Sequence, residues 1–352
     1  MFQTVFCIYL YPTLWHSLVK YRKEQKIMSE TSLGLIADIG GTNARIALCS
    51  KNGEVSYPLT LMCRDYPSPK EAILDYFSRI DYHGERPTIG ALAIASPVLD
   101  DIVTMTNCDW AFSISELKRD LGFEMLPVIN DFVAQALAVP MLKDNEKKKI
   151  GGGEPTPEFP IAVIGPGTGL GVSILVPQQD GSWFALASEG GHATMPAPYP
   201  EEERVIASLR QEYGHVSAER VVSGMGLTNL YRTLLTLRGA KPETLSPDEI
   251  SRRALAGDRL CIEAIQMMFG LLGTLAGNLA LTVGALGGVY IAGGIIPREG
   301  LLKMFEESSF RVRFEAKGRF TQYLSRIPTY VMTAKYPAFL GLSGIIQKKL
   351  NI

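Results

Sequence analysis

The stretch Leu33-Gly-Leu-Ile-Ala-Asp38-Ile-Gly-Gly-Thr42-Asn43-Ala-Arg-Ile-Ala-Leu-Cys49 decides how this chain folds. Leu33–Asp38 is an apolar run ending on a glycine pair, and Ala44–Cys49 resumes it. The segment therefore predicts a β-hairpin whose turn is Ile39-Gly40-Gly41-Thr42-Asn43. The same pattern returns about halfway along, as Ile161–Ile164, the glycine turn of Gly165-Pro-Gly-Thr-Gly-Leu-Gly171, and then Val172–Val176. Glycines in a tight turn bring backbone N–H groups to the surface, where they can cradle phosphate oxygens. The threonine hydroxyl adds a donor, and Asp38 is placed to hold a hydrated magnesium ion. Neither segment has the G-x-x-x-x-G-K-[ST] pattern or the G-x-G-x-x-G spacing of a dinucleotide fold. One glycine turn is an ordinary hairpin device. Two, each carrying Thr between apolar strands, point to an anion cradle built twice.

Three further segments carry chemistry. Gly287-Gly-Val-Tyr-Ile-Ala-Gly293-Gly294-Ile-Ile-Pro297-Arg298 reads as a strand ending in a glycine pair and entering a helix at Pro297, against which an adenine or ribose can lie. Val128-Ile-Asn130-Asp131-Phe132 puts an Asn-Asp pair at a strand tip that opens a helix. Such a pair is commonly an N-cap. Beside phosphate turns, the Asp131 carboxylate can also accept a proton from an attacking hydroxyl. Glu189-Gly-Gly-His192 places Glu189 and His192 across a forced turn, so their side chains can converge on one polyol, whose hydroxyls each give and take a hydrogen bond. In His215-Val-Ser-Ala-Glu219-Arg220, Glu219 stands near a helix start, where carboxylates are common for dipole reasons. His215 reads as a helix-end or loop residue and His83 as a surface turn.

Around these motifs the chain alternates strands and helices as an α/β protein with mixed sheets. Strands are expected over Val55–Met62, Thr88–Ala95, Ile102–Thr106 and Met125–Ile129, and helices over Ser68–Ile80, Ser115–Leu121 and Phe132–Val139. Asp144–Pro160, with its lysine run Lys147–Lys149, reads as a solvated loop between lobes. After Ser188 the chain turns mostly helical, ending with a strand at Thr329–Met332 and a helix over Ala338–Lys349. No internal repeat stands out.

Composition bounds the function. The 352 residues are 46% apolar and 20% charged, enough for a packed core. Lys and Arg number 35 against 36 Asp and Glu, a net charge of -1 without the basic excess of a nucleic-acid binder. Five widely spaced cysteines with no C-x-x-C argue against disulfide frameworks and zinc ribbons, and for reduced thiols in a cytosol. Phe2–Val19 is apolar, yet no basic residues precede it and no small-residue cleavage site follows. With Met28 opening a second start, residues 1–27 read as an extension outside the fold. Ala264–Pro297 carries no charge and is long enough to cross a membrane, but Gln266, Asn278 and Gly287-Gly288 interrupt it. A buried helix running into a buried strand explains those breaks, and no membrane partner is expected.

Taken in order, Asp38-Ile-Gly-Gly-Thr-Asn-Ala-Arg45, Thr106-Asn107, Trp110-Ala-Phe-Ser-Ile, Ile129-Asn-Asp-Phe132, Gly165-x-Gly-Thr-Gly-Leu-Gly171, Glu189-Gly-Gly-His192, His215-Val-Ser-Ala-Glu-Arg220 and Ile291-Ala-Gly-Gly-Ile-Ile-Pro-Arg298 resemble the bacterial glucokinase family outside the ROK group. The likeness runs from about Ser32 to the C-terminus. It implies an α/β, two-lobed actin-like ATPase (ribonuclease H-like) fold with the active site in the interlobe cleft. Its small lobe would be 28–140 plus 333–352, and its large lobe 141–332. It also implies ATP-dependent phosphorylation of D-glucose at the 6-hydroxyl, giving glucose 6-phosphate and ADP as the first step of glycolysis in the cytoplasm. By the resemblance Asp131 is the base, and Asn130, Asp131, Glu189, His192 and Glu219 bind glucose. ATP is held by Ala37, Asp38, Ile39, Gly40, Gly41, Thr42, Thr168, Gly169, Gly293 and Gly294, with Mg²⁺ arriving on ATP and Asp38 near it. The cysteine cluster of zinc-binding ROK kinases is missing. Pro166 departs from the small residue usual in the second turn and removes one N–H there. Symmetric dimers are common among such kinases, so a homodimer is expected, though no residue demonstrates one. The rival readings are a kinase for another hexose, such as mannose or an N-acetyl sugar, and a sugar-responsive regulator or filament protein. The regulator would need a basic helix-turn-helix, and none precedes the first hairpin.

Overall fold

A computed structural model of the chain describes residues 33–241 and 243–350. The extension expected at 1–27, with Cys7 and His16, lies outside the described residues. The chain divides into two compact units. Among the described residues the first comprises 33–92, Val98–Val128 and 343–350, and the second Ala93–Pro97 and Ile129–Leu342.

The first unit opens on the expected hairpin. Strand β1 (Leu33–Ile39) pairs antiparallel with β2 (Asn43–Ser50), placing Asp38 opposite Arg45, and β2 pairs antiparallel with β3 (Val55–Met62). Helix α1 (Pro69–Arg79) starts where the Ser68 hydroxyl accepts from the Lys70 amide and Pro69 occupies the first turn. Strand β4 (Gly90–Ile94), the short hairpin of β5 (Ile102–Thr104) and β6 (Ala111–Ser113), helix α2 (Ile114–Asp120) and β7 (Val128–Asn130) follow. The sheet order is β3-β2-β1-β4-β7.

The second unit begins with helix α3 (Asp131–Ala138), followed by β8 (Lys147–Gly151), β9 (Ile161–Pro166), β10 (Leu170–Pro177) and β11 (Trp183–Ser188). Helices α4 (Pro200–Tyr213), α5 (Gly224–Leu237), α6 (Pro247–Leu255) and α7 (Arg259–Val283) lead to β12 (Val289–Ile291). After the short helices α8 (Leu301–Glu306), α9 (Phe310–Glu315) and α10 (Thr321–Arg326) come β13 (Thr329–Met332) and α11 (Pro337–Leu350). The sheet order is β11-β10-β9-β12-β13-β8; β9, β12 and β13 run parallel, and the remaining pairs are antiparallel. Strand β9 is buried on both faces: Ala162 and Ile164 join one apolar cluster, and Ile161 and Val163 the other. Such a strand reads as an unbroken apolar run rather than an alternating one.

The two sheets share one plan. In each, a three-strand antiparallel meander lies with its first strand beside a later one (β3-β2-β1-β4-β7 and β11-β10-β9-β12-β13), and a Gly/Thr turn joins strands one and two. Beyond the Gly/Thr hairpin that occurs twice, no sequence repeat signals this correspondence.

Four expectations change. The boundary expected at 140 falls at Val128/Ile129, because α3 packs on β9, β10 and β11, and 333–342 also belongs with the second unit. The lysine run is not a loop. It forms edge strand β8, pairing Lys147 with Met332, Lys148 with Val331 and Lys149 with Tyr330. Lys147 lies over the Tyr330 ring at 5.8 Å, and Lys148 and Lys149 reach Glu306 at 3.1 Å and Glu154 at 2.6 Å, so the ammonium heads stay wet while the strand covers a sheet edge. No helix starts at Pro297: after β12 the chain makes turns until α8 begins at Leu301. Pro166 is the last residue of β9, paired with Leu170, so the turn itself is 167–169 and keeps its own amides.

The charge-free stretch behaves as a core element. Among the described residues α7 alone is long and apolar enough to cross a membrane, and 72% of its most apolar window is buried in the second unit. Beside it, Arg313 of α9 makes a buried two-pronged ion pair with Glu202 of α4, at 2.5 and 3.1 Å, and its Nε and Nη2 also donate to Thr274 Oγ1 of α7. The pair is 7% and 5% exposed, so every lone pair and donor has to be matched within the protein.

Candidate active site

The second unit gathers its chemistry-bearing side chains around Leu170-Gly171, the first residues of β10. Helix α3 starts with Asn130 as N-cap: its Oδ1 accepts from the Phe132 amide at 2.9 Å, and its Nδ2 donates to Ser96 O at 3.4 Å. Asp131, half-buried at the first helical position, also accepts from the Phe132 amide at 2.9 Å. An acidic residue suits the positive end of the helix, and the Phe132 amide, shared between Asn130 and Asp131, holds the carboxylate at the strand tip. The capping role and a chemical role are thus compatible. The ring of Phe132 lies on Gly171, where any Cβ would fall 1.9 Å from the ring, so only glycine lets α3 approach this closely.

Glu189 and His192 converge as their spacing implies. The short 3₁₀ turn Gly190–His192 closes with the His192 amide on Glu189 O at 2.9 Å, leaving His192 Nε2 3.8 Å from Glu189 Oε2, both side chains about 60% exposed. Gly191 seats this turn against β10: a Cβ there would meet Leu170 O at 1.9 Å. Glu219, in the 3₁₀ turn Ala218–Arg220, reaches the same strand, its Oε2 accepting from the Leu170 amide at 2.9 Å. One hollow of about 340 Å³ is lined by His192, His215, Ser217, Glu219, Arg220, Met225 and Tyr213. His215 is the loop residue expected just after a helix end, here α4; it also lines this hollow, its Nε2 2.9 Å from Thr194 Oγ1. Arg220 stacks its guanidinium over the Tyr213 ring at 4.2 Å, on the same wall.

The second glycine turn runs directly into this strand. Gly167 donates to Gly169 O at 2.8 Å, and the Gly224 amide at the start of α5 donates to Gly167 O at 2.8 Å. Ser223 caps α5 by accepting from the Gly226 amide at 2.9 Å, so a 14-residue helix aims its N-terminus at the Thr168-Gly169 turn. That geometry favours anions, and Ser223-Gly-Met-Gly226 is the sequence signal that could have revealed it. The Gly293-Gly294 turn joins from the neighbouring strand end: Gly293 has φ +83° and packs bare against Pro166 O. Arg298 Nε holds Gly294 O at 2.9 Å while its Nη1 pairs with Asp248.

In the first unit Asp38 and Arg45 face each other across the hairpin at 3.1 Å. Burial pushes the Asp38 carboxyl above its usual range, and the Arg45 guanidinium opposes that shift. The turn between them closes with the Gly40 amide on Asn43 O at 2.9 Å, leaving Thr42 exposed.

Known proteins match this arrangement over nearly the whole chain. The family model described as Glucokinase matches residues 35–349. A glucokinase from Paramagnetospirillum magneticum is 48% identical over 318 residues, covering 90% of this chain and 98% of that protein. The chain spans only 49% of a bifunctional protein of Paraburkholderia xenovorans, to which it is 49% identical over 90% of its own length. The solved structure of a glucokinase from an Antarctic psychrotroph shares 36% identity with a TM-score of 0.80, covering 91% of this chain and 100% of that one. The chain belongs to the bacterial glucokinase family of enzymes, outside the ROK group.

Proposed function

We propose that the protein transfers the γ-phosphoryl group of ATP to the 6-hydroxyl of D-glucose, with Asp131 as general base. The observation that carries this is the continuity of turn 167–169 with Leu170. A phosphate-cradling turn leads without a break into the strand that holds Glu219 by its Leu170 amide and seats the Gly190–His192 turn and Phe132.

Asn130, Glu189, His192 and Glu219 bind the sugar hydroxyls, their mixed donors and acceptors suiting groups that do both. Asp131 takes the proton as the 6-oxygen attacks phosphorus; the bond to the ADP oxygen breaks, and glucose 6-phosphate and ADP leave. The nucleotide-binding residues of this reading are Ala37, Asp38, Ile39, Gly40, Gly41, Thr42, Thr168, Gly169, Gly293 and Gly294. Turn amides and the N-terminus of α5 offset charge on the phosphoryl oxygens. Mg²⁺ bound to ATP supplies further neutralisation of that charge. Asp38 fits an ion that keeps its waters, being a single carboxylate one residue before the turn. The fold is read as the actin-like, ribonuclease H-like type, a reading that the shared strand order of the two sheets supports. The enzyme is placed in the cytoplasm at the entry to glycolysis, as a homodimer.

A panel of hexoses in a coupled ADP-release assay tests the reading. Glucose should give the highest kcat/KM, and a preference for mannose or an N-acetyl sugar would replace it with the rival hexose kinase.

A further inference from the structure

Two cysteines that the phosphoryl-transfer reading does not use belong to the segments packed on the first glycine turn. Cys63 is buried in the short 3₁₀ turn that follows β3. It holds the Gly40-Gly41-Thr42 turn at two points: its thiol donates to Gly40 O at 3.4 Å, and its amide donates to Thr42 O at 2.9 Å. Residues 107–108 press on the turn from another side, since a Cβ on Gly41 would fall 2.4 Å from Asn107 Cβ and 2.7 Å from Asn107 O. Next to Asn107, the half-buried Cys108 therefore lies at the same turn as Cys63, near enough for the two thiols to perturb each other.

We propose that Cys63 and Cys108 are a redox-sensitive thiol pair, and that their disulfide distorts the Gly40-Gly41-Thr42 turn and weakens ATP binding. This rests on the reading of that turn as part of the ATP site. The oxidant is a hydroperoxide. Cys108, the more accessible thiol, attacks the peroxide oxygen, giving Cys108 sulfenic acid and releasing an alcohol, or water from hydrogen peroxide. The Cys63 sulfur then attacks Cys108 Sγ, the S–O bond breaks, and water leaves with the Cys63 proton. Burial pushes the Cys63 thiol up to about 11, so it serves as the resolving partner rather than the first nucleophile. Bonding to Cys108 pulls the Cys63 sulfur off Gly40 O and draws residues 107–108 across Gly41. A thiol reductant reverses the step by exchange.

The test exposes the full-chain enzyme to hydrogen peroxide, maps peptides without reduction, and measures KM for ATP and glucose affinity before and after dithiothreitol. The expected result is a Cys63–Cys108 linked peptide with KM for ATP raised about tenfold or more. Glucose affinity should be unchanged, and dithiothreitol should restore KM for ATP. Cys108→Ser should keep its untreated activity and lose the response, and Cys63→Ala checks the other partner. Absence of the linked peptide, or a response that persists in Cys108→Ser, overturns the proposal. Gly41→Ala in the reduced enzyme separates the two readings. If it raises KM for ATP while the disulfide does not, the switch alone fails. If neither changes KM, the ATP assignment of the turn fails and the switch with it.

Discussion

The Leu170 amide donates to the Glu219 carboxylate at 2.9 Å, at the point where a glycine turn becomes a strand. A single backbone group thereby links the residues read as holding phosphate to those read as holding sugar. Gly191 and Phe132 pack on the same two-residue segment, so three separate stretches of chain take their positions from it.

Removing the acceptor should uncouple that link. Glu219→Ala leaves the Leu170 amide without its partner and takes the proposed sugar contact away; hydrogen bonds to charged groups are worth about 1.5–3 kcal/mol. KM for glucose should rise by roughly tenfold to a hundredfold on that scale. Initial-rate kinetics against glucose and ATP check this, and an effect on ATP alone would place Glu219 elsewhere in the mechanism.

Gly171→Ala should act on the proposed base, Asp131, without touching it. The new Cβ would overlap the Phe132 ring, and Phe132 supplies the amide that both Asn130 and Asp131 accept. Because the clash is with a side chain that has to shift along with its helix, kcat should fall more than KM for ATP changes. Steady-state kinetics on the soluble variant decide, with circular dichroism as the control for folding.

On the proposed ATP site, Asp38 sets activity against stability. Its carboxyl is raised chiefly by burial, so the folded protein holds that proton more tightly than the unfolded chain does. The stabilisation from a protonated Asp38 is complete below the ordinary carboxylate range and is lost as pH rises through the higher folded value. At pH 8 Asp38→Asn should therefore melt above the parent, an advantage that shrinks on acidification, while kcat/KM for ATP falls. Thermal unfolding between pH 4 and 8 measures the first effect. A variant less stable than the parent at pH 8 would show that the Arg45 pairing outweighs desolvation.

The Arg313–Glu202 pair should matter to stability alone. Arg313→Met leaves a carboxylate at 5% exposure with its partner gone, and broken buried pairs cost about 3–5 kcal/mol. The double change Glu202→Leu with Arg313→Met should recover much of that loss. Denaturant unfolding of both variants is the check.

What the letters disclosed, and what they hid, follows from the physics of each element. The hairpins, the Ser68 cap and the Glu189/His192 turn were legible because glycines, caps and apolar runs act locally. Lys147–Lys149 misled because a charge run resembles a solvated loop; only the pairing of β8 with β13, a long-range contact, makes it a strand. The role of Leu170 was invisible, since its functional atom is a backbone N–H that every non-proline residue carries. The contact of His215 with Thr194 was hidden for a related reason: Thr194, like His192 across the hollow, comes from another segment of the chain. Beyond the Gly/Thr hairpin that occurs twice, the shared strand order of the two sheets leaves no mark in the sequence, because topology constrains pattern, not residue identity.

The central claim is that Asp131 takes the proton from the sugar. The direct measurement pairs glucose binding by calorimetry with phosphoryl transfer by coupled ADP release for Asp131→Ala. Transfer should fall by about 10²–10⁴ while glucose affinity stays within about tenfold, as expected when a proton acceptor and not a main binding group is lost. Phosphorylation of glucose at near the parent rate would contradict the assignment.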